Sequence, residues 1–357
     1  MIKIEANPIN IVTAMTLNPE EIKIRLGNTN KNIKFTVKIG TFRDAKLSRG
    51  DLGNQLFQLT AALAYAWRYD GTTLIEKPTV ENGIKLNCFE LSGVNLKENI
   101  KPDLDIHEKE FCLRNHEDSV LFLGLNIPDN NVLQLNGYYQ NWRFAKMIEP
   151  IARKCFTFRK TYLDFSNRVI KNIKEKFKNH GIIGVHYRGF DQSASSGYHP
   201  GSEINHPPIP SEYYKKSFEE MEKCSQKPLK FLIFSNNIKA SRKMFENIGY
   251  SEKIIFAEDF IDFEDNHKRT DNDILSSFSA PIDLCIFSKC NGHIISNSTF
   301  SWWAAWLGNS KNVIAPVKSR WFGDHLSRHN LTDLYPPSWK EIWYSPLPES
   351  FVTIKNL

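Results

Sequence analysis

Four stretches of this 357-residue sequence place polar or charged side chains directly after apolar runs, where a ligand could reach them. In the first, residues 50–58 (GDLGNQLFQ), Gly53, Asn54 and Gln55 open a helical pattern. A glycine lets the backbone approach a ligand closely, and the free N–H groups of a helix start attract an anion. Taken alone, this stretch is better explained by an ordinary strand-to-helix connection.

The second stretch, residues 185–191 (VHYRGFD), ends an apolar run. Charged groups at such a strand end cost free energy unless they are paired or bind something. Arg188 can bind a diphosphate through two N–H groups, and His186 can donate to a phosphate or orient the arginine. Asp191 can hold these cations or accept a proton from a hydroxyl. A buried ion pair between Arg188 and Asp191 beside a satisfied histidine remains the alternative.

The third stretch, residues 234–237 (FSNN), also follows a strand pattern. Asn236 can hydrogen-bond a nucleotide base, although the sequence alone favours polar residues that cap the next helix.

The fourth stretch, residues 292–307, combines hydroxyl groups with the N–H groups of a helix start, which favours an anion site. An aromatic ring in this turn could pack on a base or a sugar. The three tryptophans that follow are predicted to be core residues. The candidate ligands are Asn297, Ser298, Thr299, Phe300 and Ser301.

Strand and helix patterns alternate along nearly the whole chain. The predicted strands are 34–39, 74–76, 133–139, 182–187, 231–235, 254–256, 292–296 and 313–315. The predicted helices are 56–66, 141–156, 164–178, 211–223, 240–248, 282–287 and 299–307, with Ser211 as an N-cap. This alternation predicts α/β architecture, with mainly parallel sheets that bind ligands at the carboxyl ends of their strands.

The pattern divides into four segments: an N-terminal arm (1–33), a first domain (34–160), a second domain (161–345) and a C-terminal tail (346–357). Residues 192–210, rich in Ser, Gly, Pro and His, are long enough for a functional loop.

Composition excludes several classes of protein. The net charge is +6 without a dense basic block, so nucleic-acid binding is not expected. Six scattered cysteines without CxxC spacing predict reduced thiols rather than a zinc site. No signal peptide or membrane-spanning run is visible, which predicts a cytoplasmic protein.

Together the four stretches resemble the bacterial-type α-1,2-fucosyltransferase family. The family patterns GGLGNQLFQ, HxRRGD and FSND correspond to GDLGNQLFQ, HYRGFD and FSNN here, and IIaNSTFSWWaAWL is almost unchanged at residues 294–307. Residues 135–140 (LNGYYQ) resemble the family's GYFQ element, and 313–322 and 335–339 resemble its closing segment. The resemblance covers about residues 34–345, in the family's order.

The resemblance implies a GT-B fold, two Rossmann-like domains facing across a cleft. It implies an inverting, metal-independent transfer of L-fucose from GDP-fucose to a glycan, at the 2-OH of a galactoside, with the acceptor on the first domain. No cofactor is implied. His186, Arg188 and Asp191 would be catalytic, with Asp191 as the base. The remaining candidates in all four stretches would bind the donor.

The sequence departs from the family at three places. Gly189 stands where the family has a second arginine, Asn237 replaces the acid of FSND, and Asp51 replaces a glycine. The lost cation is expected to be supplied by Arg49 or Lys289. These departures keep two alternatives open: another GDP-sugar transferase, such as an α-1,6- or O-fucosyltransferase, or a catalytically impaired nucleotide-sugar-binding protein.

Overall fold

The computed structural model describes residues 33–37, 51–78, 84–107, 131–189, 205–261, 274–326 and 329–345. These residues form two compact units. Unit 1 contains the described residues up to Thr157 together with 329–336, and unit 2 contains the others. The predicted N-terminal arm, apart from Ile33, and the predicted tail lie outside the described residues.

Unit 1 is built on a five-stranded, entirely parallel sheet of order β3-β2-β1-β5-β4. Its strands are β1 (Lys34–Val37), β2 (Thr72–Glu76), β3 (Val94–Lys97), β4 (Leu104–His107) and β5 (Val132–Asn136). Its helices are α1 (Leu52–Arg68), α2 (Trp142–Met147) and α3 (Glu149–Cys155). Strand β5 lies in the interior of this sheet, between β1 and β4, and α1 is buried along nearly its whole length.

Unit 2 is built on a six-stranded parallel sheet of order β11-β10-β9-β6-β7-β8. Its strands are β6 (Gly181–Tyr187), β7 (Leu229–Ser235), β8 (Ile254–Phe256), β9 (Gly292–Ile294), β10 (Val313–Pro316) and β11 (Lys340–Ile342). Its helices are α4 (Lys160–Lys176), α5 (Ser211–Lys223), α6 (Ile238–Glu246), α7 (Ile274–Phe287) and α8 (Thr299–Leu307).

The sheet of unit 2 has the doubly wound order of dinucleotide-binding domains. Read from β8, its strands are the third, second, first, fourth, fifth and sixth of the unit. The order reverses between β6 and β9, and ligands of such sheets bind beyond the carboxyl ends of the strands at this reversal. Two parallel α/β units of this kind confirm the predicted GT-B fold class.

The tryptophans of α8 belong to the core, as predicted. Trp302 and Trp303 are fully buried, and Trp306 is buried as well. The rings of Trp302 and Trp303 meet edge-on with centroids 5.0 Å apart, the arrangement that aromatic pairs favour. Their burial fixes α8 on the sheet and thereby fixes the position of its N-terminus.

Several local predictions were wrong. Residues 141–156 form two helices, because Pro150 lacks an N–H group and fits only the first turn of α3. Ser211 is not an N-cap, since Pro210 occupies that position without a side-chain hydrogen bond. Strands β3, β4 and β11 were not predicted, because runs of three or four residues are too short for an alternation of apolar and polar residues to indicate a strand by itself.

The compact units also divide differently from the predicted domains. The division follows Thr157 rather than residue 160, and residues 329–336 pack with unit 1 rather than with the second domain. Residues 329–336 pack with unit 1 because Asp333 contacts the start of α2. Its carbonyl accepts from the N–H of Trp142, and its carboxylate lies 2.8 Å from Arg143 Nε.

Candidate functional site

The carboxyl ends of β6 and β9, the two strands at the reversal, bring the second and fourth sequence stretches together. His186 is buried near the end of β6, and its Nδ1 lies 2.7 Å from Ser296 Oγ, just beyond β9. The rings of His186 and Phe300 have centroids 5.3 Å apart. Ser296 was not among the predicted site residues. Its position in the sequence, directly after a buried strand and next to Asn297, is the feature that could have identified Ser296 as a site residue.

Arg188 and a neutral histidine occupy this edge together. Burial, and then the positive charge of Arg188, lowers the pKa of His186 to about 3. Burial and Arg188 likewise lower the pKa of His206 to about 4. Arg188 is therefore near both rings, while the imidazole of His186 carries no charge at neutral pH. This arrangement favours a positioning role for His186 over a charged contact with phosphate.

Two tyrosines of α5 hold the ends of the same strands. Tyr213 O–H donates to the carbonyl of Ile295 (2.6 Å), and Tyr214 O–H donates to the carbonyl of His186 (3.1 Å). Both tyrosines are fully buried. They tie a helix directly to the backbone from which the candidate ligands extend, and sequence analysis did not single them out.

Asn236, at the end of β7, clamps the backbone that follows Arg188. Its Oδ1 accepts from the N–H of Gly189 (3.0 Å), and its Nδ2 donates to the carbonyl of Gly189 (2.9 Å). The neighbouring Asn237 caps α6 by accepting from the N–H of Ala240. A structural role is thus favoured for Asn236, which was predicted to bind the donor.

Asn297 joins two loops at the same edge of the sheet. Its Nδ2 donates to the carbonyl of Pro207 (2.9 Å) and approaches that of Trp321 (3.5 Å). The ring of His206 packs against Phe322 with centroids 5.2 Å apart. Residues 205–207 are the described part of the predicted 192–210 loop that reaches the carboxyl edge of β9.

The start of α8 presents backbone N–H groups at the site. Ser298 occupies the N-cap position, but its side chain makes no capping hydrogen bond. Ser298, Thr299 and Phe300 are partly exposed, whereas Ser301 is buried and its hydroxyl hydrogen-bonds within the turn, to the carbonyl of Ser298. Ser301 therefore shapes the turn, and the three residues before it remain accessible to an anion.

In unit 1, the first sequence stretch mainly serves to hold neighbouring loops. Gly53 is buried within α1. Asn54 Oδ1 accepts from Gln140 Nε2 (3.1 Å), and Gln55 Oε1 accepts from the N–H of Lys85 (2.8 Å). Asn54 and Gln55 were predicted to contact the donor, but the amide oxygens of both side chains accept hydrogen bonds within unit 1.

The comparisons with known proteins agree with the sequence motifs. The model of glycosyl transferase family 11 matches residues 45–342. The chain belongs to glycosyl transferase family 11. The resemblance found in the motifs is thereby confirmed at the level of the family.

Two Escherichia coli proteins are similar over nearly their whole length. The O-antigen biosynthesis glycosyltransferase WbnK is 24% identical, over 81% of this chain and 97% of WbnK. An α-1,2-colitosyltransferase is 22% identical, over 82% of this chain and 96% of its own. A structure of the NodZ α-1,6-fucosyltransferase of Bradyrhizobium, soaked with GDP-fucose, aligns with a TM-score of 0.48 and 16% identity, over 82% of this chain and 97% of NodZ. At that similarity it adds nothing to the fold described above.

The departures from the family 11 pattern have local explanations. Asp51 caps α1 through the N–H of Leu52 and pairs with Lys85 Nζ at 2.6 Å, so its negative charge is compensated. A Cβ atom built on Gly189 would lie 2.7 Å from the Cβ of Asn237. Glycine at position 189 is thus matched to the packing around it.

Lys289 does not replace the missing family 11 arginine, contrary to our expectation. It lies in the turn between α7 and β9, and therefore at the amino edge of the sheet, opposite the candidate site. Arg49 and Asp191 lie outside the described residues. Among the residues that are described, no helix is long and apolar enough to cross a membrane, and no cluster of His, Cys, Asp or Glu could hold a metal ion.

Buried histidines predict a loss of stability in mild acid. Burial lowers the pKa of His186 to about 3 and that of His293 to about 4, from an ordinary 6.5. Below pH 6.5 these histidines bind protons in the unfolded chain but stay neutral in the folded chain, which favours unfolding. Their contribution to the free energy of unfolding is therefore complete above pH 6.5 and is lost as the pH falls towards the folded pKa values. From pH 7 to pH 5 each histidine should cost about 2 kcal/mol of unfolding free energy, measured by urea titration.

The variant His293→Gln separates the contribution of His293 to this pH dependence from that of the other histidines. His293→Gln keeps a donor for the carbonyl of Phe287, which lies 2.9 Å from His293 Nε2, but it cannot titrate. The difference in unfolding free energy between pH 7 and pH 5 should shrink by about 2 kcal/mol in this variant. An unchanged difference would show that His293 is protonated in the folded protein.

Proposed function

We propose that this family 11 glycosyltransferase transfers L-fucose from GDP-fucose to a glycan acceptor, at the 2-OH of a galactoside, with inversion and without a metal ion. The observation that supports this most directly is the carboxyl edge of β6 and β9. A permanent cation, Arg188, and the uncapped start of α8 lie there at the reversal of a doubly wound sheet. A nucleoside diphosphate is the ligand whose charge and shape suit such an edge.

In the proposed reaction, the diphosphate binds at this edge. Arg188 donates two N–H groups to it, and the backbone N–H groups at the start of α8 face the same oxygens. As the bond from the anomeric carbon to the diphosphate breaks, negative charge grows on the leaving group. Fixed donors stabilise that charge and hence the oxocarbenium-like transition state. His186, neutral and held beside Ser296, keeps this arrangement in place.

The acceptor hydroxyl attacks the anomeric carbon from the face opposite the diphosphate, which inverts the configuration. Its proton has to pass to a base as the new bond forms. We propose the carboxylate of Asp191 for this role, because a carboxylate can accept a proton from a hydroxyl group and Asp191 follows Arg188 by three residues in the sequence.

The identity of the donor sugar has one specific alternative. One relative is an α-1,2-colitosyltransferase, which supports an α-1,2 linkage but allows a donor other than GDP-fucose. A second candidate is a protein that binds a nucleotide sugar without transferring it. The absence of the family's second arginine at Gly189 favours this candidate.

A panel of donors and acceptors tests the proposal. The full chain is incubated with GDP-fucose, GDP-colitose, GDP-mannose or UDP-galactose, and with lactose, N-acetyllactosamine or galactosyl-β-1,3-N-acetylgalactosamine, with and without EDTA. We expect an α-1,2-fucosylated product, identified by NMR, from GDP-fucose in either condition. Product from GDP-colitose alone would select the rival donor, and GDP-fucose binding without product would select the binding protein.

A further inference from the structure

An interior strand of the unit 1 sheet ends in a segment with its own surface feature. Residues 137–140 leave the carboxyl end of β5, which pairs with β1 on one side and with β4 on the other. Open parallel sheets bind their ligands beyond the carboxyl ends of their strands. The donor proposal uses the carboxyl edge of the sheet in unit 2, so this edge in unit 1 has no ligand assigned to it.

The backbone of residues 137–140 is held in an unfavourable conformation at Tyr139. Tyr139 has φ +51°, the left-handed region that bulky residues avoid. Such strain persists only where the surroundings impose it, and it concentrates at ligand-binding sites. Here the ring of Tyr139 is fully buried and meets Phe144 edge-on, with centroids 5.9 Å apart.

Two long-range hydrogen bonds from α1 fix the same segment. Gln58 Nε2 donates to the carbonyl of Gly137 (2.9 Å), and Gln140 Nε2 donates to Asn54 Oδ1 (3.1 Å). The segment is thus pinned on both sides of its strained residue. The GNQLFQ and GYYQ motifs hold each other, although they lie about 80 residues apart in the chain.

The result of this pinning is an outward-facing aromatic ring. Tyr138 is 38% exposed, while Tyr139 beside it is 1% exposed. Of the large apolar side chains that the structure describes, Leu96 and Trp343 are the other exposed ones. Leu96 belongs to the edge strand β3, and Trp343 follows the edge strand β11 with Lys216 Nζ over its ring at 5.6 Å. Neither of them follows an interior strand of its sheet, as Tyr138 does.

We propose that Tyr138 is a stacking surface for a pyranose ring of the acceptor. The axial hydrogens of a pyranose form an apolar face that matches an aromatic ring, and its rim of hydroxyl groups matches the hydroxyl of a tyrosine. This inference rests on the proposed function, because it assumes that unit 2 takes the donor and leaves unit 1 to the acceptor.

Steady-state kinetics of the full chain test the proposal, with the galactoside of the panel above that gives the most product. In Tyr138→Ala the KM for the acceptor should rise about tenfold, since a stacked aromatic contact is worth about that factor in affinity. Tyr138→Phe and Tyr138→Trp keep a ring and should restore most of the affinity. The Kd for GDP, from calorimetry, should match the wild type, which a general folding defect would not allow.

Trp343→Ala is the matched control, because it removes an exposed aromatic ring that belongs to unit 2 and follows an edge strand, and it should leave acceptor KM and kcat unchanged. An unchanged acceptor KM in Tyr138→Ala would overturn the stacking surface while leaving the proposed function intact. Loss of transfer in the wild type with every donor and acceptor of the panel would overturn both. A fall in kcat with no change in acceptor KM would assign Tyr138 to the reaction instead of to acceptor binding.

Discussion

Replacing Arg188 with alanine should lower kcat by about 10³-fold, because a donor that stabilises charge mainly in the transition state is lost. Burial, the larger cause of the lowered His186 pKa, remains in this variant, so the histidine brings no replacement charge. GDP should also bind more weakly, by about tenfold, as expected when a charge-assisted hydrogen bond to a diphosphate is removed. Single-turnover kinetics and calorimetry with GDP measure the two effects separately.

A second variant at position 188 separates the charge of the side chain from its geometry, and a variant at another arginine serves as the control. Arg188→Lys keeps the charge but loses the planar pair of donors, so its kcat should fall between those of the wild type and the alanine variant. Arg242→Ala removes an exposed arginine of unit 2 that pairs with Asp259 on the surface, and its kcat should equal that of the wild type. Near-native kcat and GDP affinity in Arg188→Ala would show that the diphosphate binds elsewhere.

Local patterns were enough to predict the elements that carry this site. The apolar run 182–187 predicted β6, which the structure extends by one residue to Gly181. The bounds predicted for α8, 299–307, are those observed, because a polar turn and an apolar helix meet there without ambiguity. Each of these signals lies within about ten residues of sequence.

The contacts that fix the candidate ligands could not be predicted in this way. Tyr213 reaches Ile295 across 82 positions, and Asn236 reaches Gly189 across 47. Such pairs depend on which strands become neighbours, and a single sequence specifies this only through the complete fold. The family resemblance implied ligand contacts for Asn54, Gln55 and Asn236, whose side chains bind neighbouring backbone or side-chain groups in the structure.

Restoring the family's second arginine should inactivate the protein rather than improve it. In Gly189→Arg the new Cβ would lie 2.7 Å from the Cβ of Asn237, closer than carbon atoms can approach. The segment must then shift, and the shift breaks the two hydrogen bonds between Gly189 and Asn236 beside Arg188. We expect kcat to fall about 10²-fold, because displacements near 1 Å have such effects. The unfolding free energy should fall by about 2 kcal/mol.

A second substitution tests whether the steric contact is the cause. Asn237→Gly removes the Cβ atom that the arginine would meet, and glycine replaces asparagine at an N-cap at a cost of only a few tenths of a kcal/mol. The double variant Gly189→Arg/Asn237→Gly should therefore be more stable than Gly189→Arg alone, a coupling that a double-mutant cycle measures by urea unfolding. If the two effects simply add, the clash does not govern position 189. If Gly189→Arg alone raises kcat, the missing arginine is a lost catalytic group that this backbone can still accommodate.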